Sequence, residues 1–364
     1  MASLTGGIIG LPNAGKSTLF NALTGAHAAV AQFPFCTVSP NIGMACVADE
    51  RLEQLASKVG LHLAIPAAVE VVDVAGLIRG AHKGDGLGNE FLSRIRGVDV
   101  LVHVVRCFGT DLPHPEGNVD PVRDVEVIGH ELLLSDLGLL DRWLTSADKQ
   151  LKSRFAQDED FRSLLGRARE TLEAGDSLKG TLSPDSCARL GLEGLLSVKP
   201  VIYVANIAEE DAISPSSYLS DFRLFANENH LDTVEVSAQL AMELVDLDPE
   251  ERDQFIKEMV PSGDGVNQLS RKLLARLGLI TFFTLTGGKE VRGWAIAEGC
   301  PAVEAAAKIH SDIAGGFIKA EVVTCGDFLA AGSFREARSR GTLSVEGADY
   351  HVRDGDVIHF HFVA

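Results

Sequence analysis

The run Gly10-Leu11-Pro12-Asn13-Ala14-Gly15-Lys16-Ser17 satisfies G-x-x-x-x-G-K-[ST], the residue types and spacing of a phosphate cradle. Glycines let backbone N–H groups turn inward around phosphate oxygens, and a helix that starts at the lysine adds partial positive charge. Lys16 is placed to reach the β- and γ-phosphates and to offset charge during their transfer, and the Ser17 hydroxyl to ligate Mg²⁺. Asn13, Ala14, Gly15, Lys16, Ser17 and Thr18 form the expected contact set, with Asn13 also a candidate K⁺ ligand. The plain alternative is a glycine-rich turn between a strand and a helix. The apolar strand Gly7-Ile8-Ile9 before the motif and the helical run Thr18 to Thr24 after it favour the cradle.

A second sensing element is Asp73-Val74-Ala75-Gly76, a D-x-x-G at the end of an apolar strand. Asp73 can hold a Mg²⁺-bound water, and the Gly76 N–H can approach a γ-phosphate with no side chain in the way. Thr37, in the loop around Phe33-Pro34-Phe35-Cys36, completes Mg²⁺ coordination when a γ-phosphate is present. D-x-x-G alone is common by chance; paired with the cradle it predicts a nucleotide switch of the GTPase type.

Base choice is read at Asn206-Ile207-Ala208-Glu209, where guanine readers carry N-K-x-D. The lysine is absent, and the longer Glu209 arm moves its carboxylate from the place guanine requires. Asn206 can pair with N6 and N7 of adenine, Ile207 and Phe108 can cover the base faces, and Ser237-Ala238 supplies the third base-site element. ATP is therefore expected over GTP. Read blandly, Asn206 is a strand-end turn residue.

These residues need parallel strands to bring them together. Val69 to Val74, Val98 to Val105 and Pro200 to Ala205 read as strands alternating with helices, and ligands of open α/β sheets bind at the carboxyl ends. Val127 to about Leu196 has another texture, with Leu133, Leu137, Leu140 and Leu144 on one helical face. It predicts two solvated antiparallel helices joined near Gly175 to Pro184, and less well a nucleic-acid arm. The 364 residues suggest two or three domains, and no run is long and apolar enough for a membrane span. The chain runs straight into its first strand, so no signal peptide is expected. Six cysteines without C-x-x-C spacing argue against zinc and disulfides and point to a cytoplasmic protein. A net charge of −18 opposes nonspecific attachment to free nucleic acid, though a local basic patch can still bind RNA.

Leu77 to Leu92, with its glycine-rich Gly80-Ala81-His82-Lys83-Gly84-Asp85-Gly86, resembles the second switch of Obg-type GTPases. Together with the cradle, Phe33 to Thr37, His103-Val104-Val105-Arg106-Cys107-Phe108 and the C-terminal segment, the chain resembles the YchF, or Obg-like ATPase, family over nearly its whole length. The resemblance implies an α/β fold: a P-loop GTPase-type G domain (1–126 and 197–278), a helical coiled-coil insertion (127–196) and a C-terminal β-grasp domain of TGS type (279–364). It implies ATP hydrolysis and a ribosome partner, on the large subunit, in translation or stress, with neither a membrane nor sequence-specific DNA as partner. Leu77 stands where Ras-type switches carry a water-orienting glutamine, and the resemblance assigns that role to His114, in the loop Gly109 to Gly117. From residue type alone, a lone loop histidine is more often a surface residue.

Within the C-terminal segment the matching runs include Ile309 to Asp312, Gly316 to Ile318 and Asp354 to Ile358; the ending Phe362-Val363-Ala364 departs from the family's Phe-Asn-Val. His359 and His361 share one strand face, for which ordinary pairing or a ribosome-facing surface is expected over metal. Two other functions remain open: a nucleotide-gated ribosome- or RNA-binding module with negligible hydrolysis, and a GTP-specific Obg-type GTPase.

Overall fold

The computed structural model describes residues 4–25, 42–74, 80, 87–109, 112–146, 159–178, 194–248, 251–252, 254–256, 264–286 and 289–363. The described strands are β1 (Thr5–Ile9), β2 (Ile42–Val47), β3 (Ala64–Ile65), β4 (Ala67–Asp73), β5 (Val100–Arg106), β6 (Val201–Asn206), β7 (Thr233–Val236), β8 (Leu279–Thr286), β9 (Glu290–Ala297), β10 (Phe317–Thr324), β11 (Ser344–Glu346) and β12 (Asp356–Phe362). The described helices are α1 (Lys16–Gly25), α2 (Glu50–Val59), α3 (Leu87–Arg96), α4 (Pro121–Ser146), α5 (Glu159–Glu173), α6 (Ser217–Glu228), α7 (Ala238–Glu243), α8 (Gly265–Arg276), α9 (Ala302–Ile309), α10 (Ser311–Gly315), α11 (Cys325–Ala331) and α12 (Phe334–Ser339). The chain forms two compact units, one of Met1–Ala22, Pro40–Ile42 and Val71–Gly265, the other of Leu23–Ser39, Gly43–Glu70 and Val266–Ala364.

In the first unit β1, β5, β6 and β7 run parallel in that order, with Ile9 beside His103 and Arg106 beside Asn206. The last residues of β4 lie on the far side of β1, where the Val74 N–H donates to the Ile8 carbonyl. All seven β5 residues are buried, as a strand covered on both faces requires. Apolar side chains of α3 and α4 pack with Ile9 and Leu101, and those of α6 pack with Val105 and Ala205. Parallel register thus sets Gly10, Asp73, Cys107, Asn206 and Ser237 at neighbouring strand ends.

The helical segment differs from its expected outline. Asp120 accepts from the Arg123 N–H, and Pro121 follows it, so α4 starts six residues before Val127 with a side-chain cap and a proline in the first turn. Leu140 is fully buried against Leu165, Ala168 and Leu172 of α5, with Leu133, Leu137 and Leu144 partly buried beside it. Both helices precede Gly175, and most of the joint expected near Gly175 to Pro184 lies outside the described residues. Gly175, at φ +86°, closes the end of α5 by donating to the Leu172 carbonyl.

The second unit is larger than the C-terminal segment 279–364 alone. Its sheet runs β11-β10-β12-β8-β9-β3, with β12 parallel to β8 and β8–β9 and β10–β12 antiparallel, the β-grasp arrangement. Residues 64–65 supply the edge strand β3 beside β9. Leu52, Leu55 and Ala56 of α2 share one core with Phe283, Val291, Val323, Phe328 and Val357. Arg51 ties α2 to the turn before β12 through Asp354 at 2.7 Å, its guanidinium over the Phe283 ring.

Candidate nucleotide site

The chain leaves β1 in a tight turn that its glycines permit. Gly15 has φ +92°, and a β-carbon there would stand 2.1 Å from the Asn206 amide nitrogen, so only glycine fits. Asn13 also takes a left-handed conformation, φ +62°. Lys16 is buried, its ammonium donating to the Leu11 carbonyl at 2.8 Å. Burial lowers its pKa to about 8, against the opposing pull of Asp73. The Ser17 hydroxyl donates to Asp73 Oδ2 at 2.8 Å. A hydroxyl and a carboxylate at hydrogen-bond distance are hard oxygen donors of the kind Mg²⁺ takes.

Lys16, Ser17 and Thr18 at one end and Phe108, Asn206, Ile207, Glu209 and Ser237 at the other line a single cavity of about 660 Å³, together with Asn13 and Gly15. Ala14 is buried beneath the turn. Thr37, Gly76 and Leu77, expected at the metal and the γ-phosphate, lie outside the described residues.

The base end differs in one respect from the sequence reading. Asn206 is buried, its Nδ2 donating to the Ala14 carbonyl at 2.9 Å and its Oδ1 accepting from the Ala238 N–H at 3.1 Å. Both heavy atoms of the amide that was expected to read adenine hold the phosphate turn to the segment after β7. Asp211, buried and not foreseen, fixes the next turn by accepting from the Ala208 and Ser216 N–H groups. Glu209 is exposed at the rim, Ile207 is mostly in the core against Val105 and Phe222, and the Arg106 guanidinium lies 5.1 Å from the centre of the Phe108 ring.

The His114 side chain is buried, while the residue as a whole is only partly covered. Its Nδ1 accepts from the Glu116 N–H at 3.2 Å, which leaves the proton on Nε2, 2.8 Å from Asp124 Oδ2. Burial pushes the Asp124 carboxyl up, opposed by His114 and Arg123. The segment before it is held by Arg106, which donates to the Phe108 and Leu112 carbonyls, and by Asn13, whose Nδ2 donates to the Pro113 carbonyl at 2.9 Å. Sequence reasoning missed Asp124; the Asp120-Pro121 helix start, which puts it in the first turn of α4, was the signal available. Elsewhere, His359 and His361 stack edge to face at 4.7 Å, and His361 Nε2 lies 3.1 Å from Glu321. Among the described residues no three or more His, Cys, Asp or Glu side chains are grouped to hold a metal ion.

A phosphate turn after β1, an aspartate at the end of β4 and an asparagine bolt at the end of β6 define a P-loop nucleoside triphosphatase with a G-domain sheet. Residues 5–135 match the family model MMR_HSR1, described as "50S ribosome-binding GTPase", and residues 279–363 match YchF-GTPase_C, described as "Protein of unknown function (DUF933)". The chain is 40% identical over 365 residues to the ribosome-binding ATPase YchF of Bacillus subtilis, covering 99% of each chain. It is 41% identical over 358 residues to that of Escherichia coli O157:H7, covering 98% of each. The solved structure of the Schizosaccharomyces pombe YchF GTPase aligns with a TM-score of 0.84 and 30% identity over 99% of this chain and 98% of that one. The chain belongs to the YchF family.

Proposed function

We propose that this protein is a Mg²⁺-dependent ATPase that acts on the ribosome in the cytoplasm, with the large subunit as its docking partner. The observation that carries the hydrolytic reading is the continuous cavity with Lys16 and Ser17 at its phosphate end, where Asp73 accepts from the Ser17 hydroxyl. Ser17 and Asp73 would hold Mg²⁺ there, and the ion would supply charge to the β- and γ-phosphates; Thr37 is the third candidate ligand. Asn13 remains the candidate for K⁺. ATP is favoured over GTP because Ile207 and Glu209 stand where guanine readers place lysine and aspartate. The ribosome enters through the relatives in Bacillus subtilis and Escherichia coli, whose names state that they bind it. Among the described residues no helix is long and apolar enough to cross a membrane.

His114 is the residue proposed to orient the attacking water, the place of a switch glutamine being taken by Leu77. Equilibrium binding of ATP and GTP with Mg²⁺, followed by single-turnover hydrolysis by wild type and His114→Ala, tests both parts. ATP should bind at least about tenfold more tightly, and His114→Ala should slow hydrolysis about ten- to a thousandfold with little change in ATP affinity. Equal affinities would remove the base reading, and equal rates the role of His114. A second reading, a nucleotide-gated binding module without hydrolysis, draws on the engagement of both His114 ring nitrogens; undetectable wild-type turnover would favour it.

A further inference from the structure

The arrangement around His114 is itself informative. A neutral imidazole has one N–H and one lone pair, and here the N–H points at Asp124 Oδ2 while the lone pair receives the Glu116 N–H. Both side chains are almost fully buried, at 3% and 4% exposure. The second carboxylate oxygen of Asp124 accepts from Arg123 Nη2 at 3.1 Å, and Asp124 sits in the first turn of α4, where the helix favours a negative charge. A histidine so held can neither accept a proton from water nor donate to a phosphate oxygen. Seven residues on, the buried Glu131 of α4 accepts from the Gly80 N–H at 2.6 Å. One helix thus carries the buried acceptors for the histidine and for a residue of the second switch.

We infer that Asp124 is a positioning residue that stores His114 in a hydrolytically silent arrangement, and that His114 must leave Asp124 before it can orient water. The inference rests on the proposed water-orienting role of His114 and adds a step that sets how often that role is filled. It is opposite in sign to the catalytic triad, where the carboxylate serves the histidine while it reacts. Here the carboxylate competes with the substrate for the same N–H. Weakening the acceptor while keeping its shape should therefore speed hydrolysis.

Asp124→Asn does this, since an amide oxygen can still accept from Nε2 without a charge. In the full-length protein at saturating Mg²⁺·ATP, its single-turnover rate should rise roughly five- to thirtyfold, with ATP affinity changed less than about twofold, as a charge-assisted bond becomes a neutral one. The rise should vanish in the double variant with His114→Ala. An unchanged or slower Asp124→Asn, or a rise that survives loss of the histidine, overturns the inference. A His114→Ala that hydrolyses like wild type takes down the water-orienting role and this inference with it. A slow His114→Ala beside an unchanged Asp124→Asn sinks the storage step alone. If Asp124→Asn does not fold, the wild type decides by ¹⁵N-histidine NMR. The His114 ring should show protonated Nε2 and acceptor Nδ1 without nucleotide and a changed signature with a non-hydrolysable ATP analogue and Mg²⁺. Identical spectra in the two states refute it.

Discussion

The two ends of the nucleotide cavity are built on different terms. At the phosphate end, Lys16 and Ser17 hold stand-ins, a backbone carbonyl and the Asp73 carboxylate, which a triphosphate and its ion can displace. At the base end, Asn206 is bonded to Ala14 and Ala238, partners no ligand displaces without opening the fold. Side chains that exchange partners on binding carry affinity and charge, whereas a side chain fixed to backbone carries shape. Base choice then falls to what surrounds the amide, its remaining N–H and lone pair included.

The largest effect that would sharpen this contrast is at the phosphate end. Lys16→Ala should weaken Mg²⁺·ATP and Mg²⁺·GTP alike by about a hundredfold or more, because hydrogen bonds between charged groups in a buried site are lost, and calorimetry would read it. Retained affinity would place the nucleotide elsewhere.

At the base end, Asn206→Ala leaves the Ala14 carbonyl and the Ala238 N–H buried without a partner, which should cost about 1–3 kcal/mol of unfolding free energy per group in a denaturant titration. Affinity for both nucleotides should fall together. Loss confined to ATP would show that the amide reads adenine and break the contrast.

The smallest effect is a proton. Free Lys16 titrates near 8, and a bound triphosphate favours its charged form, so its pKa rises on binding. Binding above pH 8 should then take up a fraction of one proton, and affinity should fall as pH rises through that window. Calorimetry at pH 8.5 in buffers of different ionisation enthalpy reads the uptake directly; none would mean that Lys16 is charged in both states.

What could be read in the sequence follows the range of the interactions. The turn after β1, the Asp73 strand, β5 and β6 are local patterns of residue type and period, and they lie where their residues indicate. The bond from Asn206 to Ala14 was not legible, because that partner is 192 residues away and is a carbonyl that any residue offers. His114 read as a surface residue by type, since the charge that buries it comes from another element. Gly175 marks the end of α5, a place an isolated glycine takes as readily as a turn, so residue type alone does not tell the two apart.

The second unit is assembled from both ends of the polypeptide. Leu55 and Val357 belong to one core yet are separated by about 300 residues. At translation rates of about 5–20 residues per second, the apolar face of α2 waits roughly 15–60 s for its partners. A fragment ending before Leu279 never receives them, so loss of nucleotide binding in such a fragment reports an unfinished core and not a severed module. Throughout synthesis that face is an unfilled half of a core, exposed to whatever surrounds the growing chain.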